Sequence, residues 1–422
     1  MTPLSGDLLP ARGRDVYRTA SLVAIACVLQ IAESLIPHPV PGVRLGLANM
    51  ITLVTMADLG FAAALEVAVL RTVVSSLVLG SFLTPGFMLS FSSAIVSTVV
   101  MGLFWRFSAA FPAWGFSFIG ISVASAVAHN ATQLYLAYLL MIKHTSIFYF
   151  APWLVISGVL MGWFTGLVAA EVLKNLEKGG ARGHSPARAA SAGPAVRAGL
   201  SYLHRLAPEW KLAGAILLIC FTLAVENWLF FPAAAAGLLA LMLSTRLRAA
   251  DYALILRKLR GLSVLAAASF LFPALFGRGD GGALLLSAGP LGITSGGLAA
   301  GAFFASRIML LGWAGFLLNL YASPAEIAAG LRRLGRPFMF FGFPVERFAA
   351  IISLSWSEIP ALSARAKAVI AGGLSAGQGA GRSWRLRPLG WFVGLLAGVV
   401  AAMYRGPDEA GIGLNGEAVR PA

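Results

Sequence analysis

The chain has 422 residues, 58% of them apolar and only 12% charged, with a mean hydropathy of +0.82, whereas a soluble domain carries roughly 25% charge. This composition excludes a soluble globular or disordered protein, and two cysteines, Cys27 and Cys220, each inside an apolar run, cannot form a disulfide framework. The net charge of +15 would suggest nucleic acid in a soluble protein, but here the basic residues cluster between apolar runs. That is the positive-inside pattern of cytoplasmic loops, so the expected partner is the lipid bilayer and not nucleic acid.

In chain order, apolar runs near 19–36, 46–60, 61–81, 85–105, 117–142 and 150–172 predict six spans. Turns such as Asp58-Leu59-Gly60 and Leu83-Thr84-Pro85 divide them. The first run lacks a small-residue cleavage site and reads as a retained span. With Arg12, Arg14 and Arg18 inside, six crossings return the chain to the cytoplasm at Lys174, where the next basic block begins. From there to Pro208 the composition turns to Gly, Ala, Ser, Pro and Arg, the signature of a flexible linker. Four further spans follow near 211–226, 228–244, 261–277 and 297–321. Pro324 to Phe338 and Pro344 to Ile370 are different: helix-period apolar residues alternate there with charge, and first-turn prolines open both, which predicts amphipathic helices at or below the membrane interface. The last apolar run, Leu389 to Met403, is short for a bilayer. The expected fold class is therefore an all-α polytopic membrane protein.

Ionisable residues inside spans are costly and therefore informative. The third span holds Glu66 and Arg71, which together cost about 5–7 kcal/mol on the insertion scale, while its ten Leu, Val and Phe residues return about 3–6 kcal/mol. Their i,i+5 spacing keeps them from pairing on one face, so each needs a partner elsewhere. The loop from Pro37 to Asn49, with three alternate prolines, Gly42, Arg44 and Gly46, is an irregular charged segment suited to the mouth of a cavity, or to a rigid hairpin connector. In the fifth span Ser122, Ser125, His129 and Gln133 follow helical spacing with Asn130 beside them. That polar stripe faces either a solute or a network between helices. No second His or Cys stands at ligand spacing from His129, so no metal is expected. Ala20 and Ala24 form a small-xxx-small pair that permits close helix approach.

No G-x-x-x-x-G-K-[ST] loop is present, so no bound ATP or other cofactor is expected on this chain. The six aspartates (Asp7, Asp15, Asp58, Asp251, Asp280 and Asp408) are scattered, which leaves no cluster to hold magnesium diphosphate. An enzyme is not expected.

Two families can be named on their motifs. Residues 19–172 resemble the Gx transporter family, also called heptaprenyl diphosphate synthase component I, through Pro39, Pro41-Gly42-Val43-Arg44-Leu45-Gly46-Leu47-Ala48-Asn49, Leu70-Arg71 and His129-Asn130 with Gln133. That family is similar to the six-helix substrate-binding S components of energy-coupling-factor importers. Residues 204–406 resemble the transmembrane T component of the same importers through His204 to Leu212, Ser323-Pro324, Leu331 to Pro337, Gly342-Phe343-Pro344, Phe348 to Leu354 and Glu358-Ile359-Pro360. In that family two Ala-Arg-Gly-like motifs contact a pair of ATPases. Tyr404-Arg405-Gly406 fits one of them, whereas Ala371-Gly372-Gly373 lacks the arginine of the other.

The resemblance implies three segments: an S-like substrate-binding domain (1–173), a basic linker (174–203) and a T-like coupling domain (204–422). It implies a fused importer subunit in the cell inner membrane, with both termini cytoplasmic and ATP hydrolysed on two ATP-binding cassette partners. A small solute would meet Arg44, Asn49, Glu66, Arg71, His129, Asn130 and Gln133; Arg332, Arg333, Arg365, Arg405 and Gly406 would meet the ATPases. The alternative implied by the first family's name is a non-catalytic membrane subunit of heptaprenyl diphosphate synthesis.

Overall fold

The structure, a computed structural model, describes residues 11–34, 45–178, 206–245, 249–276, 282–288, 291–342, 344–379 and 388–404. The first module consists of α1 (Ala11–Ser34), α2 (Leu47–Leu59), α3 (Phe61–Leu79), α4 (Pro85–Ala110), α5 (Phe118–Ala137) and α6 (Ala151–Lys178). Gly60 alone joins α2 to α3, at φ 85°, a left-handed conformation that glycine adopts at no steric cost. The second module consists of α7 (Pro208–Ala224), α8 (Phe230–Ser244), α9 (Ala249–Phe276), α10 (Ser295–Tyr321), α11 (Pro324–Gly335), α12 (Val345–Gly379) and α13 (Pro388–Tyr404). Between α9 and α10 lies an antiparallel hairpin, β1 (Leu284–Ala288) with β2 (Leu291–Thr294), pairing Leu284 with Thr294 and Ala288 with Leu291. This small hairpin is an addition to the helical architecture that apolar periodicity did not announce.

Among the described residues six helical stretches are long and apolar enough to cross a membrane: 15–34, 61–79, 85–110, 145–177, 250–276 and 295–321. The molecule is thus a polytopic membrane protein, although fewer of its helices are full-length spans than the ten apolar runs predict. The reason is visible in α2: its 13 residues reach about 20 Å at 1.5 Å per residue, short of the roughly 30 Å hydrocarbon core. Leu47 to Met56 of α2 are nearly all buried, so this apolar run serves as a central packing element and does not face lipid.

The two modules share one core. Val23 and Ile25 of α1, Met50 and Leu53 of α2, and Leu70 of α3 belong to the same buried cluster as Ile351 and Ile352 of α12 and Val400 of α13. Ala20 and Ala24 are fully buried, and Ser355 of α12 donates to the Ala20 carbonyl at 2.9 Å. The small pair does bring another helix backbone close to α1. Polar contacts flank this seam: Ser21 donates to Glu358 at 2.7 Å, Arg18 meets Asp58 at 2.5 Å and the Tyr404 hydroxyl at 3.1 Å, and Tyr404 donates to Asp58 at 2.9 Å. Burial pushes the Glu358 carboxyl up, against the Ser21 hydrogen bond and the nearby Arg365, which lower it.

A second seam joins the far end of α3 to α9 and α10. Lys258 donates to the carbonyls of Leu79 and Gly80 at 3.2 and 2.8 Å, the C-terminal carbonyls of α3 that no intrahelical amide reaches. Asn319 donates to the Phe82 carbonyl at 2.9 Å. Gly315 lies under this turn, where a Cβ would stand 2.9 Å from Thr84 Cγ2 and 3.1 Å from the Leu83 carbonyl. Met141, Ile142 and Ile147, between α5 and α6, share a cluster with Ala266 and Ile308 of the second module.

Candidate functional site: a polar cavity in the first module

The polar stripe of α5 is held by its neighbour α6. Gly158, Gly162 and Gly166 recur every fourth residue on α6, and a Cβ on Gly162 would lie 2.7 Å from Val123 Cα, one on Gly166 2.9 Å from Ile119 Cα. This is small-xxx-small packing, in which missing side chains let backbones touch. The close approach allows hydrogen bonds between the helices: Ser122 Oγ to Thr165 Oγ1 at 3.0 Å, and Asn130 Nδ2 to the Leu154 carbonyl at 2.9 Å and to Ser157 Oγ at 3.3 Å. His129 Nε2 and Gln133 Nε2 lie 3.1 Å apart.

From the opposite wall α3 contributes Arg71, which is 4% exposed. Its Nη1 reaches Gln30 Oε1 at 3.4 Å and its Nη2 donates to Asn49 Oδ1. Glu33 accepts from the backbone N–H groups of Gly46 and Leu47 at 2.9 and 3.2 Å. These are the first amides of α2, which carry the positive end of its dipole. The walls form a partly open cavity of about 80 Å³, lined by Gln30, Glu33, Asn49, Arg71, His129, Asn130, Gln133 and their neighbours. A single water needs roughly 10–15 Å³ on this measure, so the space takes several waters or a compact solute.

The structure therefore brings together Asn49 of α2, Arg71 of α3, and His129, Asn130 and Gln133 of α5, from three different stretches of sequence. Glu66 is not with them: on the same helix as Arg71 it faces outward to Arg347 of α12, in a bidentate pair at 2.7 and 2.8 Å. Arg44 and the proline loop before it lie outside the described residues, as do Arg405 and Gly406. Three cavity features escaped sequence reasoning, and each had a readable signal. Glu33 and Gln30 are polar residues inside the first apolar run, and the glycine repeat of α6 is a regular motif.

In the second module Arg333 pairs with Glu209 at 2.8 Å and Arg332 with Glu346 at 3.6 Å. Both line a groove of about 340 Å³ between α11 and α12, whose walls include Ile352 and Trp356. Arg365 is a half-buried residue of α12. Arg307, overlooked in the tenth apolar run, is buried in the middle of α10, where it donates to the Val225 carbonyl at 2.8 Å and stacks over Phe303 at 4.8 Å.

A helical membrane body lined inside by a polar cleft and joined through a common core to a second helical body defines the class: a two-module integral membrane protein. Comparison with known proteins agrees for both modules. Residues 22–172 match the family model "Heptaprenyl diphosphate synthase component I" and residues 199–370 match the family model "Cobalt transport protein". The chain is similar to the energy-coupling factor transporter transmembrane protein EcfT of Listeria innocua, 31% identical over 164 residues, 39% of this chain and 60% of that protein. The protein of the same name from Macrococcus caseolyticus is 23% identical over 177 residues (42% of this chain, 65% of that protein), and that from Bacillus subtilis 26% over 164 residues (39% and 60%). The chain thus spans less than two thirds of the length of these relatives.

Proposed function

We propose that the chain is the fused solute-binding and coupling subunit of an energy-coupling factor type importer. The first module holds a small metabolite in its cavity, and the second passes on the motion of two ATP-binding cassette partners that hydrolyse ATP. The observation that supports this reading is the polar cleft around Arg71, on a helix that the second module holds at both ends. Arg332, Arg333, Arg365, Arg405 and Gly406 are the candidates for the ATPase contact, since a guanidinium combines permanent charge with a rigid fork suited to acidic grooves. The protein lies in the cell inner membrane with both termini cytoplasmic. Purification of the full chain in mild detergent is expected to recover ATPase subunits, and Arg405→Ala to lose them; a preparation that never yields an ATPase from any native membrane overturns the proposal.

A second reading follows from the description of the family matched by residues 22–172: a membrane subunit assisting long-chain prenyl diphosphate synthesis. It predicts that adding the purified chain to a soluble prenyl synthase changes product length. An unchanged length removes it.

A further inference from the structure

The sequence carries both signs of charge in or next to its apolar runs, so the charge of the solute is not legible from composition. The structure sorts these groups. Asp58 is taken by Arg18 and Tyr404, and Glu66 by Arg347, both away from the cavity. Glu33 does line the cavity, but its two oxygens accept from the Gly46 and Leu47 amides, which offset its charge at the N-terminus of α2. Arg71 is left with donors to spare. A guanidinium has five N–H groups; among the described residues one is given to Gln30 at a long 3.4 Å and one to Asn49, while Nε is buried with no hydrogen-bond partner.

A buried donor left unmade costs roughly 1–3 kcal/mol, more when it is charged. Such an arrangement is stable only where the rest of the fold holds the group in place, or where something else supplies the acceptor. Glu33 acts on Arg71 through its charge without a hydrogen bond to it, and the remaining polar lining, His129, Asn130, Gln133 and the hydroxyl side chains, adds no further carboxylate. The lining contains no Phe, Tyr or Trp among the described residues, and the His129 imidazole is its one aromatic ring there.

We propose that the cavity takes a compact organic anion, a carboxylate or a phosphate ester, whose oxygens accept from Arg71. This rests on reading the first module as a solute receptor. The test uses the full chain in lipid nanodiscs. Its probes are three- to six-carbon carboxylates, the phosphate esters of the same skeletons, and their uncharged amides and alcohols and primary amines, with thermal stabilisation and equilibrium dialysis as readouts. Binding is expected in the carboxylate or the phosphate arm alone, which also tells the two apart. Arg71→Gln is expected to weaken it roughly 10- to 100-fold, Arg71→Lys to lie between, and Asp58→Asn to leave it unchanged. Equal binding of the amides or amines, or full affinity in Arg71→Gln, overturns the anion while leaving the receptor reading in place. If no compound binds in any arm and the native protein releases no small molecule on denaturation, both fall. Should Arg71→Gln fail to fold, the wild-type preference between each anion and its matched amide decides alone.

Discussion

Glu66 and Arg71 stand five residues apart on one helix and have opposite environments. Glu66 sits at the seam between modules, its side chain 10% exposed and clasped by an Arg347 side chain that is 35% exposed. A bidentate pair of this kind is charge-assisted and geometrically specific, but partial solvation of the arginine lowers its worth. In a double-mutant cycle of Glu66→Ala with Arg347→Ala, followed by unfolding in denaturing detergent, the coupling energy is expected near the lower end of about 1–3 kcal/mol. A coupling indistinguishable from zero would mean that the pair decorates the seam without holding it. The spacing argument, that the two do not pair with each other, holds here: Glu66 finds Arg347, and Arg71 meets Gln30 and Asn49 instead. The identity of Glu66's partner could not be read, because Arg347 lies 281 residues away, and no local rule reaches across that distance.

At the scale of elements, α11 depends on its first turn. Ser323 and Glu326 form a reciprocal capping box, and Lys211 adds a bond to Glu326 at 2.9 Å. Burial by itself would raise the Glu326 carboxyl, but the Ser323 amide and hydroxyl and the Lys211 ammonium outweigh it and hold the group below the usual carboxylate range. A depressed value stabilises the folded state above the unfolded carboxylate value, and that stabilisation is lost as pH falls through the lower, folded one. Acidification from neutral is therefore expected to lower the protection factors of the amides at the start of α11, measured against the intrinsic exchange rate at each pH, a step that Glu326→Gln removes. Ser323→Ala should cost about 0.5–2 kcal/mol at neutral pH, read as faster exchange over the same turn.

The α5–α6 pair makes a second case. Gly162→Leu drives a side chain into the backbone of Val123, and overpacking costs typically 1–3 kcal/mol. It should spread the pair and abolish solute binding, with helicity kept. Binding at wild-type affinity would show that the glycine ladder does not shape the cavity. Most helices, and the polar stripe on α5, were legible because amphipathic period and turn residues are local. The cavity's composition was legible in five of its members for the same reason. What the sequence withheld was orientation: which polar run faces which, whether a 13-residue apolar segment such as α2 spans or fills a core, and the β1–β2 hairpin, whose Leu284, Leu285 and Leu286 are exposed and carry no alternating pattern.

For the whole molecule, the shared core predicts that the two modules stay together without a covalent tether. With a protease site inserted among residues 180–200 and cleaved in detergent, the halves of the wild-type chain are expected to co-elute on size exclusion. Gly315→Leu pushes against Leu83 and Thr84, and combined with Arg347→Ala it is expected to loosen the contact, read as partial separation of the halves, since the turn after α3 and the Glu66 pair are then lost while the buried core remains. Co-elution of that double variant would locate the binding energy in the α1–α12 contact alone.

One consequence of the second seam concerns the lie of the protein in its bilayer. Helix α3 is long enough to cross a membrane, yet Glu66 near its start meets Arg347 in the first turn of α12, and the turn after its end meets Asn319 in the last turn of α10. Tyr321 closes α10, and α12 begins after the short α11. Between those two fastenings lie α11, 12 residues long, and the six-residue 3-10 helix Arg336–Phe341, together about 30 Å of chain by helical rise, close to the roughly 28 Å of the 19-residue α3. Helix α3 is thus clasped at both ends by the second module, and counting crossings by hydropathy gives how many apolar rods there are without telling which of them are fastened to one another.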